Sequence, residues 1–337
     1  MERKKIIILG ATGNTGSYLT LYSLNFFNKD KYEIIASGRR NTDFWSNQGV
    51  PYVQVDITKK EDLEKLPKEN VHAVMLLSAQ LPAYMDVYDP FKYIDINITG
   101  ALNVLEYCRK VKADRIIYTQ TFYDIAKYPK DKIIDPYDAR NFSYTGDHAV
   151  YVISKCCALD LMEHYRQEYG LKKFIFRLPA IYSYTPDYYY YPDGVKTMRP
   201  FYKQVFRAMN SEPLELWGDP NSKRDMVHVY DFSQMLCKAA LVDREEGIYN
   251  VGTGNPVTLE QQMRAMVDVF SPADKKSEIV YLRDKPSGPG FIEMDVTNAK
   301  EQLGYEPKYD VYRLLENFKE EMAINRFAEL RIKKQSV

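Results

Sequence analysis

Six short apolar runs, interleaved with helical stretches, constrain this chain more than any other feature. They are Lys5–Leu9, Glu33–Ser37, Tyr52–Val55, Ala73–Leu77, Arg115–Thr119 and Lys173–Leu178. None alternates strictly between apolar and polar residues, the mark of strands covered on both faces. Long helical patterns lie between them, notably Asn97–Lys110 and Tyr151–Glu168. Repeated strand–helix–strand units require a parallel sheet with helices on both sides, a doubly wound α/β architecture. Beyond Leu178 the character changes. Residues 182–199 are rich in Tyr, Pro and Asp and read as a long irregular loop, a common carrier of specificity. Regular patterns then return, with a turn at Gly218–Asn221. The expected division is 1–178 plus 225–255 for the sheet domain, and 179–224 plus 256–330 for a smaller C-terminal α+β domain.

Composition excludes several classes. With 337 residues, 45% of them hydrophobic, the chain can bury a sizeable core. No run approaches the roughly 18–20 apolar residues that cross a bilayer, so no membrane is expected. Met1–Lys5 followed by Ile6–Leu9 is too short an apolar segment for a leader and reads as the first strand of a cytoplasmic protein. The 46 basic and 46 acidic residues cancel, which gives no broad positive field for nucleic acid. The four cysteines, Cys108, Cys156, Cys157 and Cys237, sit in helical patterns without metal-ligand spacing, so no metal is expected. The basic cluster at Arg331–Lys334 reads as a solvated end.

Gly10, Ala11, Thr12, Gly13, Asn14, Thr15 and Gly16 follow the first strand and open a helix. Glycine is needed where the chain turns sharply and where backbone approaches a pyrophosphate. The helix N-terminus then offers N–H groups and partial positive charge to the phosphates. At the end of the second strand, where NAD-binding turns place an acid for the ribose hydroxyls, Arg39 and Arg40 stand instead. A guanidinium suits a ribose 2′-phosphate, so NADP(H) is favoured over NAD(H).

Tyr151 and Lys155 are four positions apart on a helical stretch and share a face. An ammonium beside a phenol stabilises the phenolate and lowers its pKa, giving a proton-transfer group near neutral pH. Thr121, at the end of the fifth strand, carries a hydroxyl able to bridge that phenol and a substrate oxygen; Thr119 is the nearby alternative.

With these motifs in order, the chain resembles the extended short-chain dehydrogenase/reductases, the NAD-dependent epimerase/dehydratase family, from Lys5 to about Pro307. The resemblance runs through Val55-Asp56-Ile57, Leu77-Ser78-Ala79 with Gln80 beside it, the helix entry around Asn97, and the Tyr151–Lys155 pair. It continues through Pro179-Ala180-Ile181 and a run from Trp217-Gly218-Asp219 to Arg224-Asp225-Met226-Val227-His228. It implies a Rossmann-type domain with a smaller substrate domain, and a cleft between them. It also implies dinucleotide contacts from Asp56, Ile57, Leu77, Ser78, Ala79, Asn97, Thr119, Pro179 and Ile181, besides Tyr151 and Lys155. Substrate contacts are implied for Gln80, Thr121, Tyr123, Ala180 and Arg224, the last on a substrate diphosphate. His228 and Asp225 read as structural braces.

The departures from the pattern narrow the chemistry. Thr121 is followed by Phe122-Tyr123, not by the acidic pair of the family's dehydratases, and Tyr123 occupies a position where some epimerase/reductases carry a Cys. Ala180 replaces a frequent Asn. The run Tyr188–Tyr191 has no counterpart and could stack on a base or sugar, or pack a loop. The expected activity is epimerisation of a nucleotide-linked sugar through a keto intermediate, by a homodimer paired through its two long helices. An NADPH-dependent keto-sugar or carbonyl reductase and a non-catalytic dinucleotide sensor are the alternatives.

Overall fold

A computed structural model describes residues 2–146, 148–286 and 293–331. The central sheet contains β1 (Lys4–Leu9), β2 (Tyr32–Gly38), β3 (Tyr52–Gln54), β4 (Val71–Leu76), β5 (Arg115–Thr121), β6 (Lys172–Leu178) and a seventh strand, Glu246–Asn250. All pairings are parallel, in the order seventh strand, β6, β5, β4, β1, β2, β3. The packing explains why the strands lack alternation. Ile6 and Ile8 face one apolar cluster, with Met75, Ile117, Phe174 and Phe176. Ile7 and Leu9 face the other, with Val74, Leu76, Ile116 and Ile175. Successive side chains point to opposite faces and both faces are buried, so every position must be apolar.

The helix α1 (Asn14–Phe26) and the helix Val229–Ala239 pack together on the first face. Helices Gly100–Val111 and Ala149–Tyr169 cover the second. A third cluster, including Tyr202, Leu214, Leu216, Met263, Met266, Phe270, Leu314 and Phe318, lies between helices Pro200–Met209, Leu259–Phe270 and Val311–Ile324 and the parallel strand pair Leu214–Trp217 and Ile279–Leu282.

Three local readings differ from this structure. β5 runs two residues beyond Thr119, because Gln120 and Thr121 keep pairing with Arg177 and Leu178. The helix expected from Asn97 begins at Gly100, and Ile94–Thr99 before it forms a wider π turn. The tyrosine-rich stretch is not wholly irregular: Tyr189 and Tyr190 pair antiparallel with Met198 and Thr197.

The basic C-terminal cluster also needs correction. Ile332, Lys333 and Lys334 lie outside the described residues, but Arg331 is no solvated end. Phe327 and Leu330 are buried in the first cluster, and Phe327 meets Tyr18 edge-on with ring centroids 4.8 Å apart. That docking carries Arg331 to the start of α1. Replacing a buried Phe by Ala removes contacts the surroundings only partly recover, at a cost of about 3–5 kcal/mol. Phe327→Ala should therefore lower unfolding free energy by about that amount in urea titration; a loss below about 1 kcal/mol would show that the tail is not docked.

Candidate active site

The turn between β1 and α1 is tighter than side chains permit. Gly10 has φ +105°, and a Cβ on Gly16 would lie 2.0 Å from the Gly10 carbonyl oxygen. Gly13 is the N-cap of α1 and no side chain caps that end, so the first N–H groups of the helix remain available as donors. The turn forms one wall of a groove of about 390 Å³. Gly10, Thr12, Gly13, Asn14, Thr15 and Gly16 line it, with Arg39 and Arg40 at the end of β2, Asp56 and Ile57 after β3, and Leu77, Ser78, Ala79 and Gln80 after β4. The structure thus brings fourteen of the proposed cofactor and substrate positions into one groove. Tyr84 and Ile96 line it too, and neither shows a signal in the sequence. Tyr52 Oη donates to the Arg40 and Gly38 carbonyls at 2.6 and 2.9 Å, which holds the strand end carrying the arginines. Burial and the neighbouring Arg39 both pull the Arg40 pKa down.

From Gln80 a chain of hydrogen bonds leads to the second long helix. The Asn97 side chain accepts from the Gln80 N–H at 2.8 Å and donates to the Gln80 carbonyl and to Ser154 Oγ, at 3.2 and 2.9 Å. Ser154 in turn donates to the Tyr151 carbonyl at 2.7 Å. Asn97 reaches both partners from the π turn, a helical irregularity that often marks functional positions. Thr121, Tyr151 and Lys155 are all buried. Thr121 Oγ1 accepts from the Tyr123 N–H at 3.3 Å, and the Thr121 hydroxyl beside the Tyr151 phenol favours the ionised form of that phenol. Phe122, Tyr123 and His148 pack ring on ring at a tilt beside this pair, with centroids 4.3 and 4.5 Å apart. The Tyr93 ring lies 5.9 Å from the Tyr151 ring.

The electrostatics differ from the expectation of a phenol acidified by its lysine. Burial raises the Tyr151 pKa, Thr121 opposes this, and Tyr123, Tyr93 and Asp124 raise it further. Burial also pulls Lys155 down to about 7, and its Nζ lies over the Tyr118 ring at 4.1 Å from the centroid. Desolvation disfavours both charged forms at once, and it outweighs the charge interaction that helical spacing alone suggests.

Other proposed positions fall outside the groove. Thr119 pairs with Phe176 within the sheet, and Ile181 pairs with Val227. Pro179 is half-buried and Ala180 exposed. Arg224 lies on a short strand paired with Val257 and donates to the Lys223 carbonyl at 2.9 Å. The two residues read as braces act as such. Asp225 accepts from the Thr253 N–H and hydroxyl. His228 stacks on Tyr309 at 3.8 Å, contacts Asn317 at 2.9 Å, and is held by burial at a pKa of about 4. The tyrosine run divides its work: Tyr188 packs on Tyr202 and Phe206, whereas Tyr191 lines a separate cleft with Met85 and Tyr93.

The parallel sheet and the glycine-turn groove at its strand ends define a doubly wound protein of the dinucleotide-holding kind. The chain belongs to the NAD dependent epimerase/dehydratase family, whose model matches residues 6–252. It is similar to the UDP-glucuronate 4-epimerase of Thermodesulfobacterium geofontis, at 23% identity, with 84% of this chain and 82% of that one covered. In structure it is similar to the UDP-glucose 4-epimerase of Thermotoga maritima, with TM-score 0.76, 22% identity and coverage of 95% and 99%. The UDP-glucose 4-epimerase of Thermus thermophilus, solved with NAD, gives TM-score 0.69 at 23% identity, covering 94% and 99%.

Lys155 has a stability consequence. Its folded-state pKa lies below its unfolded value, so between pH 7 and about 10 the unfolded chain binds the extra proton. Stability therefore rises with pH across that window, and the burial cost is fully present below pH 7. Against Lys155→Met, the wild type should gain unfolding free energy from pH 7 to pH 9 in urea titrations. A flat difference would show that the ammonium is not desolvated.

Proposed function

We propose that the chain is a nucleotide-sugar epimerase that moves hydride reversibly between a sugar carbon and a nicotinamide dinucleotide. The observation that carries this reading is the buried Tyr151, with Thr121 and Lys155 buried beside it, tied through Ser154 and Asn97 to the Gln80 wall of the glycine-turn groove. The groove fits such a dinucleotide: a glycine turn so tight that a Cβ at Gly16 would strike the Gly10 carbonyl, open helix N–H donors, and cations at the end of β2. When bound, the dinucleotide supplies a reversible hydride acceptor.

The chain's own residues move and hold the proton. Tyr151 Oη acts only in its ionised form: once its own proton has left, it takes the proton from a sugar hydroxyl, and Thr121 holds the phenol and that oxygen in line. Because burial raises the phenol pKa, the oxygen is a strong base once ionised and readily takes up a proton. Lys155 contributes positive charge to the same buried region and is proposed to hold the nicotinamide ribose. A keto-sugar turned over in the cleft and reduced on its other face is the epimer. The open aliphatic surfaces Leu102 and Ile153, on the two long helices, support a homodimer paired along them.

For the dinucleotide itself we propose NADP(H), with Arg39 and Arg40 gripping the 2′-phosphate. The same pair keeps the keto-sugar reductase as a second reading. Among the described residues no helix is long and apolar enough to cross a membrane, and no group of three His, Cys, Asp or Glu side chains is placed to hold a metal. We propose a cytoplasmic location and the two-part domain division given above.

Denaturing the purified protein and identifying any released dinucleotide separates the readings: tightly held oxidised cofactor is expected for an epimerase. Tyr151→Phe should slow interconversion of UDP-sugars by about 100-fold or more while dinucleotide affinity stays within a few-fold. Turnover at the original rate would remove Tyr151 from the chemistry. Replacing Arg39 and Arg40 together by Ala should weaken NADP+ by about tenfold or more and leave NAD+ little changed, read by calorimetric titration. Equal effects on both would exclude 2′-phosphate recognition.

A further inference from the structure

The glycine turn is held from outside by two side chains that its sequence does not suggest. Trp45 Nε1 donates to the Ala11 carbonyl at 3.1 Å. Arg331 Nη1 donates to the Thr12 carbonyl at 2.7 Å, and its Nη2 to the Gly13 carbonyl and Ser17 Oγ at 3.2 and 2.9 Å. Within the turn, the Gly10 carbonyl accepts from the Gly13 N–H at 2.8 Å and the Asn14 carbonyl from Ser17 Oγ at 2.9 Å. The Gly13 carbonyl also accepts from the Ser17 N–H at 3.0 Å, as the first bond of the helix. Every carbonyl from Gly10 to Asn14 thus has a donor, and one guanidinium serves two of the five. The Thr12 and Gly13 carbonyls belong to the peptide units whose N–H groups are those of Gly13 and Asn14. A cation on the carbonyl end of a peptide unit polarises it and strengthens the N–H as a donor. Asn14 N–H opens α1, where an anion is favoured.

Arg331 reaches this position because Phe327 and Leu330 anchor its segment independently of its own bonds. The same segment, through Glu329 and Leu330, shares a cleft of about 500 Å³ with Arg40, Asn41 and Thr42. Arg331 and Arg40 are close enough that, after burial, Arg40 is the largest influence lowering Arg331, to about 10.

We propose that Arg331 is a positioning residue of the dinucleotide groove: its planar fork fixes the glycine turn so that the turn's N–H groups grip the dinucleotide phosphates. This rests on the dinucleotide reading above and adds to it a residue 319 positions from the turn it holds. Lysine does not replace it, because a flexible ammonium cannot span two carbonyls and a hydroxyl in one plane.

The test uses the full chain with Arg331→Ala and Arg331→Lys. Hydrogen exchange at the Gly13 and Ser17 amides, which are bonded to the Gly10 and Gly13 carbonyls, measured without dinucleotide, should accelerate about tenfold or more in Arg331→Ala, while the thermal midpoint and exchange in β1 stay near wild type. Affinity for NAD+ and NADP+, by calorimetric titration, should fall about tenfold for whichever the wild type binds more tightly, and Arg331→Lys should recover only a minor part. Unchanged exchange at Gly13 and Ser17, or dinucleotide affinity within twofold of wild type, would overturn the proposal. A wild-type chain that binds neither dinucleotide would overturn the functional reading and this inference with it. Accelerated exchange with wild-type affinity would overturn the inference alone.

Discussion

The packing of Gly16 against the Gly10 carbonyl is the contact on which the rest of this structure turns. A Cβ there would sit 2.0 Å from that oxygen, so only glycine lets α1 start directly at the end of β1. That start sets the direction of α1 across the sheet, and α1 in turn packs against the helix Val229–Ala239. It also leaves the groove at the carboxyl ends of β1, β2 and β4, where an open α/β sheet places its ligands. One steric requirement therefore sets both a packing direction and a binding wall.

The Tyr151–Lys155 pair obeys a different balance. Tyr151 and Lys155 are placed by helical spacing, but their ionisation is set by burial. The phenol is raised and the ammonium is lowered to about 7, so at neutral pH the phenol holds its proton while the lysine stands near its titration point. Paired titratable groups whose environments shift them in this way are what the proposed proton transfer would use. The bridge through Asn97 and Ser154 keeps this pair in fixed relation to Gln80. A side-chain amide suits that bridge, since one group accepts from a backbone N–H and donates twice.

Much of this is legible in the chain, and the reasons are local. Strands buried on both faces announce themselves as continuous apolar runs, so six of the seven are readable with ends shifted by a residue or two. The glycine turn and the Tyr151–Lys155 spacing depend only on neighbours in sequence. The seventh strand, Glu246–Asn250, is silent, because an edge strand with Glu, Gly and Asn lacks that apolar signature. The π turn escapes because helical periodicity does not report one added residue. Tyr84 and Arg331 escape for a stronger reason: contacts between residues far apart in the chain impose no period on either segment. Arg331 even carries a misleading signal, since basic residues at a chain end usually face water.

The charge distribution follows the same logic. The chain as a whole is neutral, with 46 cationic and 46 anionic side chains, yet Arg39, Arg40 and Arg331 meet around one end of the groove. Partial burial, and then the like charge beside each, lowers the pKa of both Arg40 and Arg331, which is a cost to folding. A fold selected for stability alone would disperse them. Concentrated cations beside a turn whose carbonyls are already bonded are instead what a multiply charged anion needs, and on the proposed reading the dinucleotide offsets the repulsion when it binds. Stability given up at this end of the sheet is thereby recovered as affinity, and binding of the cofactor and tightening of the fold become linked events.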